Sequence, residues 1–144
     1  MRILVVILWV WTAIFISACS PGSDENQTTT LSETEGAAVY RTLSIDEFGD
    51  IMDEADGAYT VINVHIPYQG EIEGTNANIA FNDIDALTSA LPDRNAPIIL
   101  YCRSGNMSEQ ATRELVNLGY TQVYDVPGGM NAWQSSGRKL VDNQ

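Results

Sequence analysis

Two cysteines, Cys19 and Cys102, and a single histidine, His65, are the whole stock of soft metal ligands in the 144-residue chain. A closed zinc site takes about four such ligands, and a cross-linked scaffold takes several cysteine pairs, so neither is expected here. Positive charge is equally scarce, with 7 Lys and Arg against 19 Asp and Glu and a net charge of −12. Attraction to a phosphate backbone cannot drive association of such a surface, which excludes nucleic acid as a partner. A spanning helix needs about 20 consecutive apolar residues, and no run in the chain is that long. Apolar residues make up 44% and charged residues 18%, the composition of one globular domain.

The longest apolar run, residues 3–18, is interrupted only by Thr12 and Ser17 and preceded only by the charge of Arg2. A short basic start, an apolar stretch and small residues before a cleavage point describe an export signal. The run ends Ile16-Ser17-Ala18-Cys19. This resembles the bacterial lipobox, in which the cysteine thiol is diacylated and becomes the first mature residue. The expectation is a lipoprotein signal peptide over 1–18 and a lipidated flexible tether over 19–38. The tether has Leu31 as its one bulky apolar residue and cannot repay the entropy of ordering. The protein would then be extracytoplasmic, anchored to a membrane through lipid on Cys19, on the periplasmic face or the cell surface.

From Val39 to Val141 the hydrophobic period alternates between two and about 3.6, as strands alternating with helices require. Residues 39–43 form a strand candidate. Ser44 and Glu47 make a capping box ahead of a helix with Ile45, Phe48, Met52 and Ala55 on one face, and Gly57 closes it. A β-branched run over 59–64 is followed by a helix capped by Asn82 or Asp83, carrying Ile84, Leu87 and Leu91 and stopped by Pro92. Ile98-Ile99-Leu100-Tyr101 has no polar alternation, the pattern of a central parallel strand covered on both faces. Residues 108–118 follow as a helix with Ala111, Leu115 and Leu118 inward and Gly119 as its stop. A strand over 123–126 precedes Gly128-Gly129 and a short helix containing Trp133 that ends near Gly137. The order implies an α/β fold, a three-layer sandwich around a mainly parallel sheet.

Cys102 follows the buried strand directly, at the carboxyl edge where open α/β sheets hold their ligands. The loop Arg103-Ser104-Gly105-Asn106-Met107-Ser108 leads into the next helix. Small residues there can turn backbone N–H groups inward as an anion nest, and the helix adds the positive end of its dipole. Arg103 adds a cation beside the thiol. Such surroundings favour a nucleophilic cysteine, with the six loop residues as the substrate-binding set.

The loop resembles the active-site loop of the rhodanese family. Two further segments match in family order: Gly70-Glu71-Ile72-Glu73-Gly74-Thr75 with Asn78-Ile79, and Gly128-Gly129-Met130-Asn131-Ala132-Trp133 with Gly137. The resemblance covers 39–141 and implies a rhodanese-like domain. It further implies sulfur transfer: Cys102 takes sulfane sulfur from thiosulfate or a persulfide and passes it to a thiol or cyanide through a Cys102 persulfide. A small sulfur-containing anion or persulfide is then the donor, a thiol the acceptor, and no cofactor is needed.

Two departures stand out. Asn63-Val64-His65 lies where many relatives carry Asp-x-Arg, and Met107 holds a position often basic in relatives that prefer thiosulfate or mercaptopyruvate. Asn63, His65 and Glu71 are candidates for groups acting behind the cysteine, with polar residues satisfied at the sheet edge as the simpler reading. Cysteine phosphatases use a related loop ending Cys-x5-Arg, and Ser108 occupies that place here. The alternative that remains is a non-catalytic, membrane-tethered module that binds sulfur or a protein partner.

Overall fold

The structure is a computed structural model that describes residues 39–143 except Ala55. The expected signal peptide over 1–18 and the tether over 19–38, Cys19 included, lie outside the described residues. Among the described residues nine elements follow in chain order: β1 Arg41–Thr42, α1 Ile45–Glu54, β2 Thr60–Asn63, β3 Ala77–Asn78, α2 Ile84–Ala90, β4 Ile98–Tyr101, α3 Asn106–Asn117, β5 Val123–Asp125 and α4 Gly129–Ser135. The strands form a five-stranded sheet in the order β1-β5-β4-β2-β3. Every strand pairing is parallel.

Alternation along β4 divides the core into two. Ile98, Leu100 and Cys102 join Ile62, Val64, Leu87, Ala111, Leu115 and Val123 on the face covered by α2 and α3. Ile99 and Tyr101 join Phe48, Val61, Ile72, Met130 and Trp133 on the face covered by α1 and α4. Side chains that point alternately to opposite faces of a strand need cover on both, which is why β4 carries no charged residue and is buried throughout. The expected three-layer architecture is the one observed.

The capping box opens α1: the Ser44 N–H donates to Glu47 Oε2 at 2.8 Å and the Glu47 N–H to Ser44 Oγ at 3.3 Å. Asp83, rather than Asn82, caps α2, accepting from the Ala86 N–H at 3.0 Å. Helix α3 begins two residues before the expected 108, because Gly105 at φ +100° is the break and the helix starts directly after it. Apolar periodicity cannot detect a first turn that reads Asn-Met-Ser. Leu118 is not inward as expected but 39% exposed. It is the residue where α3 unwinds (φ −80°, ψ 2°), so the inward stripe ends at Leu115. Gly119 at φ +89° then turns the chain, and its N–H reaches the Val116 carbonyl at 2.9 Å. Strand β3, two residues long, has no signature in the hydrophobic pattern.

Candidate active site

Cys102 is the first residue past β4 and is 1% exposed. The Gly105 N–H donates to Cys102 Sγ at 3.1 Å, closing a tight turn over the sulfur. Gly105 is the N-cap of α3 and offers no side chain as a cap. The cysteine sulfur therefore satisfies the N-cap residue's own N–H, the group that a Glu side chain three residues on satisfies in a capping box. The N–H groups of the next three residues have no partner within the helix, as in any first turn. Ser108, fully buried in that turn, sets its hydroxyl 3.0 Å from the Gly105 carbonyl oxygen and 3.6 Å from Cys102 Sγ.

The diglycine that opens α4 fixes this loop from the other side. The Met130 N–H donates to the Cys102 carbonyl at 2.9 Å and the Asn131 N–H to the Arg103 carbonyl at 3.0 Å. Such an approach leaves no room at Gly129, where a Cβ would lie 1.9 Å from the Cys102 carbonyl oxygen. A Cβ on Gly105 would meet the Gly128 nitrogen at 3.1 Å, so Gly105 has a packing reason that its loop setting concealed in the sequence. The Cys102 loop and the C-terminal Gly-Gly segment, 26 residues apart in their first members, Cys102 and Gly128, form one unit.

The other loop residues diverge. Ser104 and Asn106 are exposed. Arg103 is exposed and donates to Gln69 Oε1 at 2.9 Å, at the edge of a shallow depression that Asn131 and Gln134 also line. Met107 lies in the first turn of α3, half-buried against the apolar cluster on that face of the sheet. It is a helix residue packed on the core, not the loop position the sequence suggested.

Asn63 accepts from the His65 N–H at 3.1 Å and donates to the Gly70 carbonyl at 3.2 Å, bracing the turn after β2. His65 is half-buried, and neither ring nitrogen has a hydrogen-bond partner among the described residues. Glu71 is 5% exposed, its carboxylate accepting from Asn78 and, at 2.6 Å, from Asn143 Nδ2. Its backbone pairs antiparallel with Val141. Glu71 thus ties the C-terminal tail to the sheet edge. Tyr101, read from sequence as core, also has a polar duty: its hydroxyl accepts from the Ile72 N–H at 2.9 Å and meets Thr75 Oγ1 at 2.7 Å. Burial pushes its phenol up to about 12. Among the described residues no cluster of three or more His, Cys, Asp or Glu side chains is arranged to hold a metal ion.

Sequence reasoning missed Asp125. It ends β5, is 2% exposed, and accepts from the Tyr40 hydroxyl at 3.0 Å through Oδ2. Burial pushes its carboxyl above the ordinary carboxylate range, against the opposing pull of the Ser108 and Tyr40 hydroxyls beside it. The signal was present as an acid inside the apolar run Val123-Tyr124-Asp125-Val126. A charged residue where a buried strand wants none is rarely there for packing.

A parallel sheet whose central strand delivers a cysteine into a glycine-bounded turn at a helix start defines the class by geometry. The sequence profile of the Rhodanese-like domain matches residues 50–136. The thiosulfate sulfurtransferase GlpE of Pseudoalteromonas translucida is 30% identical over 108 residues, covering 72% of this chain and 97% of that protein. The adenylyltransferase and sulfurtransferase UBA4 of Debaryomyces hansenii is 33% identical over 102 residues, covering 63% of this chain. This chain spans only 23% of that relative's length. A rhodanese-related protein from Thermoplasma volcanium superposes with a TM-score of 0.58 at 27% identity, over 71% of this chain and 98% of that one. The chain belongs to the rhodanese-like domain family, and its homology is to sulfurtransferases.

Proposed function

We propose that this protein is a sulfurtransferase in which Cys102 carries the transferred sulfur. The observation that carries the reading is the Gly105 N–H held 3.1 Å from Cys102 Sγ, a donor aimed at the atom that must bear negative charge. In the first step the Cys102 sulfur anion attacks the outer sulfur of thiosulfate, the S–S bond breaks, and sulfite leaves with its electron pair. Cys102 is left as a persulfide anion. In the second step a thiolate or cyanide attacks the terminal sulfur and the Cys102 anion leaves, so charge and electrons balance with no redox partner. The unpaired N–H groups at the start of α3 would receive the substrate oxyanion and the persulfide. Arg103, free to leave Gln69, is the cation of the loop, joined by the exposed Ser104 and Asn106 in lining the approach, with the buried Ser108 hydroxyl behind the sulfur.

Thiocyanate formation from thiosulfate and cyanide, together with intact mass after exposure to thiosulfate, mercaptopyruvate or a persulfide, tests the reading. The wild type should gain one sulfur atom, a mild thiol should remove it, and Cys102→Ser should lose both uptake and turnover. A serine hydroxyl is too weak an acid to present an anion at that site. No uptake from any donor, with the thiol still open to alkylation, would replace the enzyme with a protein-docking module, and uptake without turnover would replace it with a sulfur-binding one.

We also propose that Cys19 is the lipid attachment point of an exported, membrane-anchored form, on the strength of Ile16-Ser17-Ala18-Cys19 at the end of the apolar run. The mature protein should partition into detergent, and Cys19→Ala should leave the precursor unprocessed. A soluble mature form beginning at another residue would refute this.

A further inference from the structure

Ser108 lies between two reactive groups. Its hydroxyl is 3.6 Å from Cys102 Sγ, and α3, which carries it, covers the face of β5 that Asp125 shares with Val123, where Asp125 Oδ1 is buried without a hydrogen-bond partner among the described residues. The hydroxyl has one proton to give and three acceptors within its surroundings: the Gly105 carbonyl, the cysteine sulfur and the carboxyl. We propose that Asp125 is a positioning residue for Cys102 that acts through Ser108, deciding which acceptor receives the Ser108 proton. As the neutral acid, Asp125 donates its own proton to Ser108 Oγ and leaves the serine proton to the sulfur and the Gly105 carbonyl. As the carboxylate, Asp125 draws the serine proton to Oδ1, and the sulfur loses that donor. The carboxyl proton goes to solvent in the change, and no covalent bond to carbon or sulfur is altered.

The groups facing Asp125 set the balance. The Tyr40 hydroxyl bonds Oδ2 at 3.0 Å and favours the carboxylate. Glu109 on α3 opposes it, although its partner Arg113, 2.8 Å away, partly neutralises it. Arg113 also sits over the Tyr40 ring at 4.5 Å. Burial, with Glu109, raises the carboxyl above its ordinary range, so the neutral acid persists to higher pH than in an exposed aspartate.

The inference rests on Cys102 as the reacting group but needs no sulfur donor to test, so its failure is separable from failure of sulfur transfer. The assay is the rate of Cys102 alkylation by iodoacetamide against pH in the full chain. Asp125→Asn supplies a permanent neutral donor to Ser108. It should raise the neutral-pH rate about threefold to tenfold, the effect of one hydrogen bond, and move the profile to lower pH. In a Ser108→Ala background the same substitution should change nothing. Superimposable wild-type and Asp125→Asn profiles overturn the proposal. So does an equal effect in the Ser108→Ala background, which would mean that the charge acts through space. Should Asp125→Asn lose its native near-UV spectrum, Tyr40→Phe carries the test. Without that hydroxyl the carboxyl holds its proton more tightly, and the alkylation rate should rise in mildly acidic solution. An unchanged rate refutes the proposal.

Discussion

Replacing Gly129 with alanine puts a methyl carbon 1.9 Å from the Cys102 carbonyl oxygen, 2.9 Å from its carbonyl carbon and 3.2 Å from that of Arg103. All three are backbone atoms, so no side chain can swing away and the two segments must part. Parting them loosens the bonds from the Met130 and Asn131 N–H groups to the Cys102 and Arg103 carbonyls. Each is worth about 1 kcal/mol net, and the left-handed backbone at φ +47° adds about 1 kcal/mol for a residue with a Cβ, giving a loss of about 3 kcal/mol. For a domain of this size that lowers Tm by about 12–24 °C. Gly137→Ala is the matched control, since Gly137 has φ +88° but nothing within 4 Å of a Cβ. It should cost only the backbone strain, about 1 kcal/mol. Urea denaturation of both variants, read with Cys102 alkylation, separates the effects: Gly129→Ala should lose more stability and also change the reactivity of the thiol, whereas Gly137→Ala should leave reactivity alone. Equal stability losses would refute the claim that close approach to the cysteine loop, and not backbone conformation alone, requires glycine at 129.

Tyr101→Phe removes the partner of the Ile72 N–H and of Thr75 Oγ1 while keeping the ring, so unfolding should become easier by about 1–3 kcal/mol; a change near zero would mean that these groups find other partners. Met107→Arg should leave the thiosulfate KM unchanged or raised and lower stability by about 1 kcal/mol, since the side chain packs on the core. A lowered KM would show instead that it faces the substrate. Because Asp125 holds its proton more tightly folded than unfolded, the folded state binds more protons above the ordinary aspartate range, and stability falls there as pH rises. Asp125→Asn should therefore gain in Tm over wild type with rising pH and lose that gain in strong acid. Parallel Tm curves would refute the assignment of a buried, proton-retaining carboxyl.

The layers, the helices and the place of the cysteine were legible in the chain alone, because each rests on local rules. The unbroken Ile98-Ile99-Leu100-Tyr101 run requires cover on both faces, Ser44 with Glu47 closes a capping box on itself, and Cys102 follows the strand by one residue. Helix α3 started early because a first turn carries no apolar period, and Leu118 turned outward because the helix unwinds there. Only the tertiary structure decided which distant groups meet. Gly129 is glycine because α4 approaches the Cys102 loop, Arg103 turns to Gln69, and Asp125 stands beside Ser108 because β5 lies against β4. Sequence spacing records which face a side chain takes, but a contact across the sheet depends on strand order and register. Those are settled by how the two apolar faces of the sheet pack against their helices, a property of the whole core rather than of any segment.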